Sequence, residues 1–133
     1  MLKILFVIDE IEHKYFEFND LVTNFWFIKE LLQRNYEVDI CTKNNLFLDG
    51  NIALTRCQKS YLSQEKGISY TPQFQTSEIN NYDVVFFRPD PPVDENYLNA
   101  CSVFDFVDEE KTLLINNPKT IKNFGEKFHC GLF

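Results

Sequence analysis

Residues 2–8, LKILFVI, are apolar at nearly every position and rich in strand formers. That pattern predicts a parallel strand buried on both faces. The polar stretch 9–19 then predicts a loop. From about residue 20 to residue 35 the period changes. Leu21, Phe25, Ile28 and Leu32 recur at steps of four, three and four, which is one face of a helix. Asn19 or Asp20 is placed to cap it, and Arg34 falls in the last turn, where the helix dipole favours a cation. Residues 36–42, YEVDICT, predict a second strand. Strand, helix and strand in about 40 residues make a right-handed βαβ unit.

The pattern then shifts again. Residues 45–48 and 51–55 flank Asp49-Gly50, a pair that supplies the positive φ of a tight turn, and so predict a β-hairpin. Residues 56–81 are polar and weakly patterned, and predict loop with some extended structure. Residues 82–88, YDVVFFR, predict another buried strand. It runs into Pro89-Asp90-Pro91-Pro92, a loop held stiff and extended by its prolines. Asp94 is placed to cap a helix reaching about residue 109, with Tyr97, Cys101, Phe104 and Val107 inward. Residues 112–116 predict the last strand, and Pro118 is a suitable first residue for a helix from residue 119 onward. The order predicts one α/β domain over residues 1–133, with a Rossmann-like, mostly parallel sheet, helices on both faces and a β-hairpin insertion. In such a sheet ligands bind beyond the carboxyl ends of the strands. Asp9 and Glu10, Thr42 and Lys43, residues 88–92 and residues 116–118 lie there.

Composition narrows the function. With 20 acidic and 13 basic residues the formal charge is −7, and only Arg34, Arg56 and Arg88 are arginines, which argues against nucleic-acid binding. No apolar run approaches the ~20 residues of a membrane span. The first run is too short for a signal-peptide core and lacks a cleavage site, so a soluble, cytoplasmic protein without a membrane partner is expected. Cys41, Cys57, Cys101 and Cys130 form no CxxC pair, and His13 and His129 are far apart. Free thiols acting as small buried hydrophobes are expected, and no metal site. The four glycines allow neither a GxGxxG nor a Walker loop, so the chain shows no nucleotide site.

Among polar constellations, Arg88 with Asp90 stands out. An arginine at a strand end on rigid backbone suits a carboxylate or phosphate; equally, the two residues can pair and fix the loop. Asp9-Glu10 matches the acidic pair that holds Mg²⁺ in receiver domains. Such a domain also needs an Asp and a Lys where this chain has Arg88 and Asn116-Asn117-Pro118, so a polar cap on a buried strand is the preferred reading. His129 beside Cys130 lies at the terminus, where a nucleophile lacks a held geometry.

Three stretches together resemble bacterial glutathione synthetase, specifically its N-terminal domain. LKILFVIDEI (residues 2–11) is similar to its first strand and loop. YDVVFFRPDPPVDENYL (82–98) resembles its buried strand, Arg-x-Asp-Pro-Pro, gap and helix. TLLINNPKTIKNFGEKF (112–128) resembles its strand, Asn-x-Pro turn and helix. RNYEVDI (34–40) and the hairpin also fit. The resemblance implies a pre-ATP-grasp domain of an ATP-dependent carboxylate–amine ligase, which joins γ-glutamylcysteine to glycine through an acyl phosphate. By that resemblance Arg88, Asp90 and Asp9 are substrate-side residues, and Pro91, Pro92, Asn116 and Pro118 shape loops. Catalytic and metal-binding residues are expected to be none. ATP and Mg²⁺ belong to the ATP-grasp domains of the full-length family, which are expected to be absent here. The chain alone is therefore expected to be inactive as a ligase, with γ-glutamylcysteine, a separate ATP-grasp chain or a second copy as partners. The alternatives are a non-catalytic binding or dimerisation module and a sensor of small acidic peptides. The family's Asp-Ser/Thr-Ser/Thr at the first helix is Val22-Thr23-Asn24 here, with the acid lost, and its Asn before Glu-Lys is Gly125.

Overall fold

The computed structural model describes residues 2–9, 13, 23–65, 67–89, 95–116 and 118. In chain order the elements are β1 (Lys3–Ile8), α1 (Thr23–Gln33), β2 (Glu37–Thr42), β3 (Leu46–Asp49), β4 (Ile52–Ser63), β5 (Gly67–Tyr70), β6 (Gln75–Glu78), β7 (Val84–Phe87), α2 (Glu95–Val103) and β8 (Leu113–Ile115). The predicted caps Asn19, Asp20 and Asp94, the helix residue Leu21 and the helix after Pro118 lie outside the described residues.

The apolar run of β1 is central. It pairs in parallel with β2 on one side and β7 on the other, and β8 pairs in parallel with β7. Both faces of β1 are covered, as a run without alternation requires. Ile4, Phe6 and Ile8 share one cluster with Phe25 and Ile28 of α1. Leu5 and Val7 share the other with Tyr97, Ala100 and Cys101 of α2. Tyr97, Cys101, Phe104 and Val107 are all buried, as their spacing predicts. The helical path ends early, however: α2 stops at Val103 and passes into a single 3-10 turn, Phe104–Phe106.

Helix α1 stops where Asn35 takes a left-handed φ of 66°. The Asn35 N–H donates to the Leu32 carbonyl at 3.0 Å and the Tyr36 N–H to the Leu31 carbonyl at 3.2 Å. This is the Schellman arrangement with Asn, the next-best residue to Gly, in the left-handed position. It turns the chain directly into β2.

The other half of the sheet departs from expectation. A mostly parallel sheet clad in helices is corrected to a mixed sheet with two helices among the described residues. Strand β4 runs antiparallel to β2 and is also the hub for β3, β5 and β6, all antiparallel. The hairpin β3–β4 forms as predicted, with Asp49 facing Ile52 and Gly50 at φ +62°. Residues 56–81, expected as mainly loop, instead hold most of β4 and all of β5 and β6. The inward positions of β4 include Thr55, Gln58 and Ser60, all buried. These small or amide side chains satisfy themselves by hydrogen bonds, such as Ser60 Oγ to the Val38 carbonyl at 2.6 Å. The buried apolar residues of the strand, Ala53 and Cys57, are small, so it carries only a faint apolar alternation. Strand β6, QTSE, has no apolar residue at all.

Candidate functional site

The parallel strands end in register. Ile8 lies beside Thr42, Val7 beside Phe87, and Phe86 beside Ile115. Lys43, Asp9, Arg88 and Asn116 therefore follow one another along a single edge, the place where sheets of this kind offer a crevice.

Arg88 is the best-held of them. Its N–H donates to the Val7 carbonyl at 2.9 Å, which extends the β1–β7 ladder by one bond and fixes its backbone. Its side chain is half-buried and turns toward the first turn of α1. There Nε donates to Asn24 Oδ1, and the guanidinium lies 5.9 Å from the centre of the Phe27 ring. Asn24 and Phe27 are three residues apart and share a helical face. Phe27 in turn packs on Phe86 at 4.8 Å and Phe6 at 5.5 Å between ring centres. The arginine thus rests on an aromatic stack rooted in the core. Among the described residues, no carboxylate lies within 4 Å of it. Asp90, Pro91 and Pro92 lie outside the described residues, so the Arg88–Asp90 pairing does too.

The neighbouring positions are also braced. Asp9 is half-buried, and its carbonyl accepts the His13 N–H at 2.9 Å. His13 stacks on Tyr70 at 4.8 Å and meets Gln58 Oε1 through Nε2 at 2.5 Å, while Tyr70 Oη donates to the His13 carbonyl at 2.7 Å. Asn45 Oδ1 accepts from both the N–H and the hydroxyl of Thr42, at 2.9 and 3.0 Å. Lys43 Nζ sits 5.5 Å from the Tyr97 ring, and Tyr97 Oη donates to the Pro89 carbonyl at 3.4 Å. Asn116 is exposed with φ 57°, a conformation that Asn tolerates better than most residues. Pro118, two residues on, is buried. The sequence marked Arg88, Asp9, Asn116 and Pro118. It missed Asn24, Phe27, His13 and Gln58. Only the shared helical face of Asn24 and Phe27 left a trace there.

A second polar cluster lies inside the α2-side core, away from this edge. Tyr82 Oη donates to Asp39 Oδ2 at 2.6 Å and lies 3.2 Å from Cys57 Sγ. Burial pushes the Tyr82 hydroxyl up, helped by its bond to Asp39. Burial likewise raises the Cys57 thiol, and pushes the Cys41 thiol up to about 12. All three groups are thus protonated near neutral pH, and the thiols lack the thiolate that reactivity needs. Cys41, Cys57 and Cys101 are free and buried, as expected of small core residues. Cys130 and His129 lie outside the described residues. Among the described residues, no three His, Cys, Asp or Glu side chains gather as metal ligands. No helix among them is long and apolar enough to cross a membrane.

Fold and site define an α/β domain whose mixed sheet presents one firmly held arginine at the carboxyl ends of its parallel strands. Residues 2–122 match the family model described as prokaryotic glutathione synthetase, N-terminal domain, and the chain belongs to that family. Three curated relatives, each named glutathione synthetase, are similar to it. That of Salmonella typhimurium is 28% identical over 136 residues, covering 100% of this chain and 42% of the relative. That of Vibrio vulnificus is 27% identical over 113 residues, 84% of this chain and 35% of the relative. That of Nostoc is 49% identical over 54 residues, 41% of this chain and 17% of the relative. The chain therefore spans less than half the length of these relatives.

Proposed function

We propose that this chain supplies the substrate-side domain of a glutathione synthetase, and that Arg88 anchors a carboxylate of γ-glutamylcysteine. The observation that carries this is the placement of Arg88: at the end of a central strand, on the ligand edge, with uncharged partners fixing its plane. A guanidinium so held is suited to a carboxylate, which it can grip with two parallel N–H bonds. Asp9 lies on the same edge and suits the ammonium group of such a peptide.

These residues do not fit an ATP–Mg²⁺ site. The two described glycines, Gly50 and Gly67, lie in the antiparallel half, and the site edge gathers no acidic cluster among the described residues. Ligation through an acyl phosphate needs a phosphate and metal clamp to stabilise the transferring charge. A polypeptide of these residues alone is therefore inactive as a ligase, and an ATP-grasp region, on the same or a separate chain, must complete the enzyme. A cytoplasmic setting agrees with the free thiols.

The test is calorimetry with γ-glutamylcysteine on the wild type and Arg88→Ala. Binding to the first and not the second is expected. Equal binding, or none to either, contradicts the reading. In parallel, ATP hydrolysis dependent on γ-glutamylcysteine and glycine should stay at the blank until an ATP-grasp partner is added. If gel filtration instead shows a stable homodimer indifferent to that partner, the chain is a dimerisation module.

A further inference from the structure

We propose that Asn24 is the positioning residue that sets both the orientation and the charge of the Arg88 site; the proposal rests on the carboxylate-binding reading above. Asn24 is 6% exposed, yet it is an amide in the first turn of α1, where an apolar residue would bury at lower cost. Its Oδ1 accepts from Arg88 Nε. One helical turn on, the Phe27 ring backs the guanidinium at 5.9 Å. Two contacts from one helix face fix a planar group in two ways. Asn24 holds its Nε edge and Phe27 holds its plane.

Two consequences follow from chemistry. With Nε occupied, a carboxylate must approach the pair of Nη groups end-on, not the Nε side of the fork. Asn24 is also neutral, so it orients the arginine without cancelling its charge. An aspartate of the same shape would hold the same edge but form an ion pair with it. The amide leaves the cation for an anionic ligand. In the sequence Asn24 stands out only as the last residue of Val22-Thr23-Asn24, where the family it resembles has Asp-Ser/Thr-Ser/Thr, and nothing there links it to Arg88.

The experiment combines binding with a ligand-independent readout. Hydrogen exchange of the Arg88 Nε–H is followed by NMR, and γ-glutamylcysteine binding is measured by calorimetry at low and high salt. In wild type the Nε–H exchanges slowly with and without ligand. Asn24→Asp keeps that protection and its melting temperature but weakens γ-glutamylcysteine about tenfold, because its charge offsets that of Arg88. Asn24→Ala loses the protection, and its binding weakens. Wild-type affinity in Asn24→Asp, or unchanged exchange in Asn24→Ala, overturns the proposal. If the wild type binds no γ-glutamylcysteine, the ligand assignment fails, and the Nε–H exchange of the two variants still decides whether Asn24 holds Arg88.

Discussion

The two halves of the sheet solve the same problem with different residues. In the parallel half, β1 buries both faces and every position from Ile4 to Ile8 is apolar. In the antiparallel half, β3 leaves Phe47, Leu48 and Asp49 exposed, and β4 turns Thr55, Gln58 and Ser60 inward. The parallel half is held mainly by apolar packing, the antiparallel half by ladders and polar side-chain bonds. The candidate site lies on the first and takes bracing from the second through His13, Gln58 and Tyr70. A rigid hydrophobic core thus positions the arginine, while the polar extension anchors His13 beside Asp9.

The largest test of this division is in the parallel core. Phe87→Ala removes a ring that packs edge-on against both Tyr97 and Phe104 at 5.5 Å. It should cost about 3–5 kcal/mol in denaturant unfolding. A loss as small as that of a surface change would mean this half is not the main core.

The seam between the halves comes next. Tyr82→Phe removes the hydroxyl that donates to buried Asp39 and touches Cys57 of β4. The carboxylate is left short of a donor, at about 1–3 kcal/mol. The same seam gives a pH dependence. The Cys41 thiol moves from an ordinary value of 9.0 to about 12 in the fold, because burial disfavours the thiolate. The native state then holds its proton where the unfolded state has released it. Stability from this thiol is fully present below pH 9.0 and falls as pH climbs from there toward 12. Cys41→Ala should flatten the alkaline limb of a pH–stability curve; an unchanged limb refutes the assignment.

Smaller effects belong to the extension. Gly50→Ala meets nothing within 4 Å, so its cost is the positive φ alone, about 1–2 kcal/mol. Smallest of all is Arg34→Ala. Its pair with Glu30, at 3.0 Å, is mostly solvent-exposed on both sides and should contribute under about 0.5 kcal/mol.

The same contrast explains what could be read from the sequence. Residues 2–8, the Phe25–Ile28 face, the Tyr97–Cys101–Phe104–Val107 spacing and the Asp49-Gly50 turn all carry their burial as hydrophobic pattern or turn chemistry, and each forms close to where the pattern puts it. The rest of β4 beyond the hairpin, with β5 and β6, was not legible because its inward side chains are mostly Thr, Gln, Ser and Cys, which bury by hydrogen bonding, and Ile68 alone leaves no period. The sheet was expected to be mostly parallel for that reason. At the site, Arg88 was legible because a strand and prolines frame it. Asn24 and His13 were not, because their partners are 64 and 45 residues away.

The most direct test is an amide NMR titration of the wild-type chain with γ-glutamylcysteine. Shifts confined to Asp9, Thr42, Arg88, Asn116 and the first turn of α1 are predicted, with β4 to β6 silent apart from the Gln58 and Tyr70 brace. Shifts centred on the antiparallel strands, or none at millimolar ligand, would contradict the assignment of the substrate side to the parallel half.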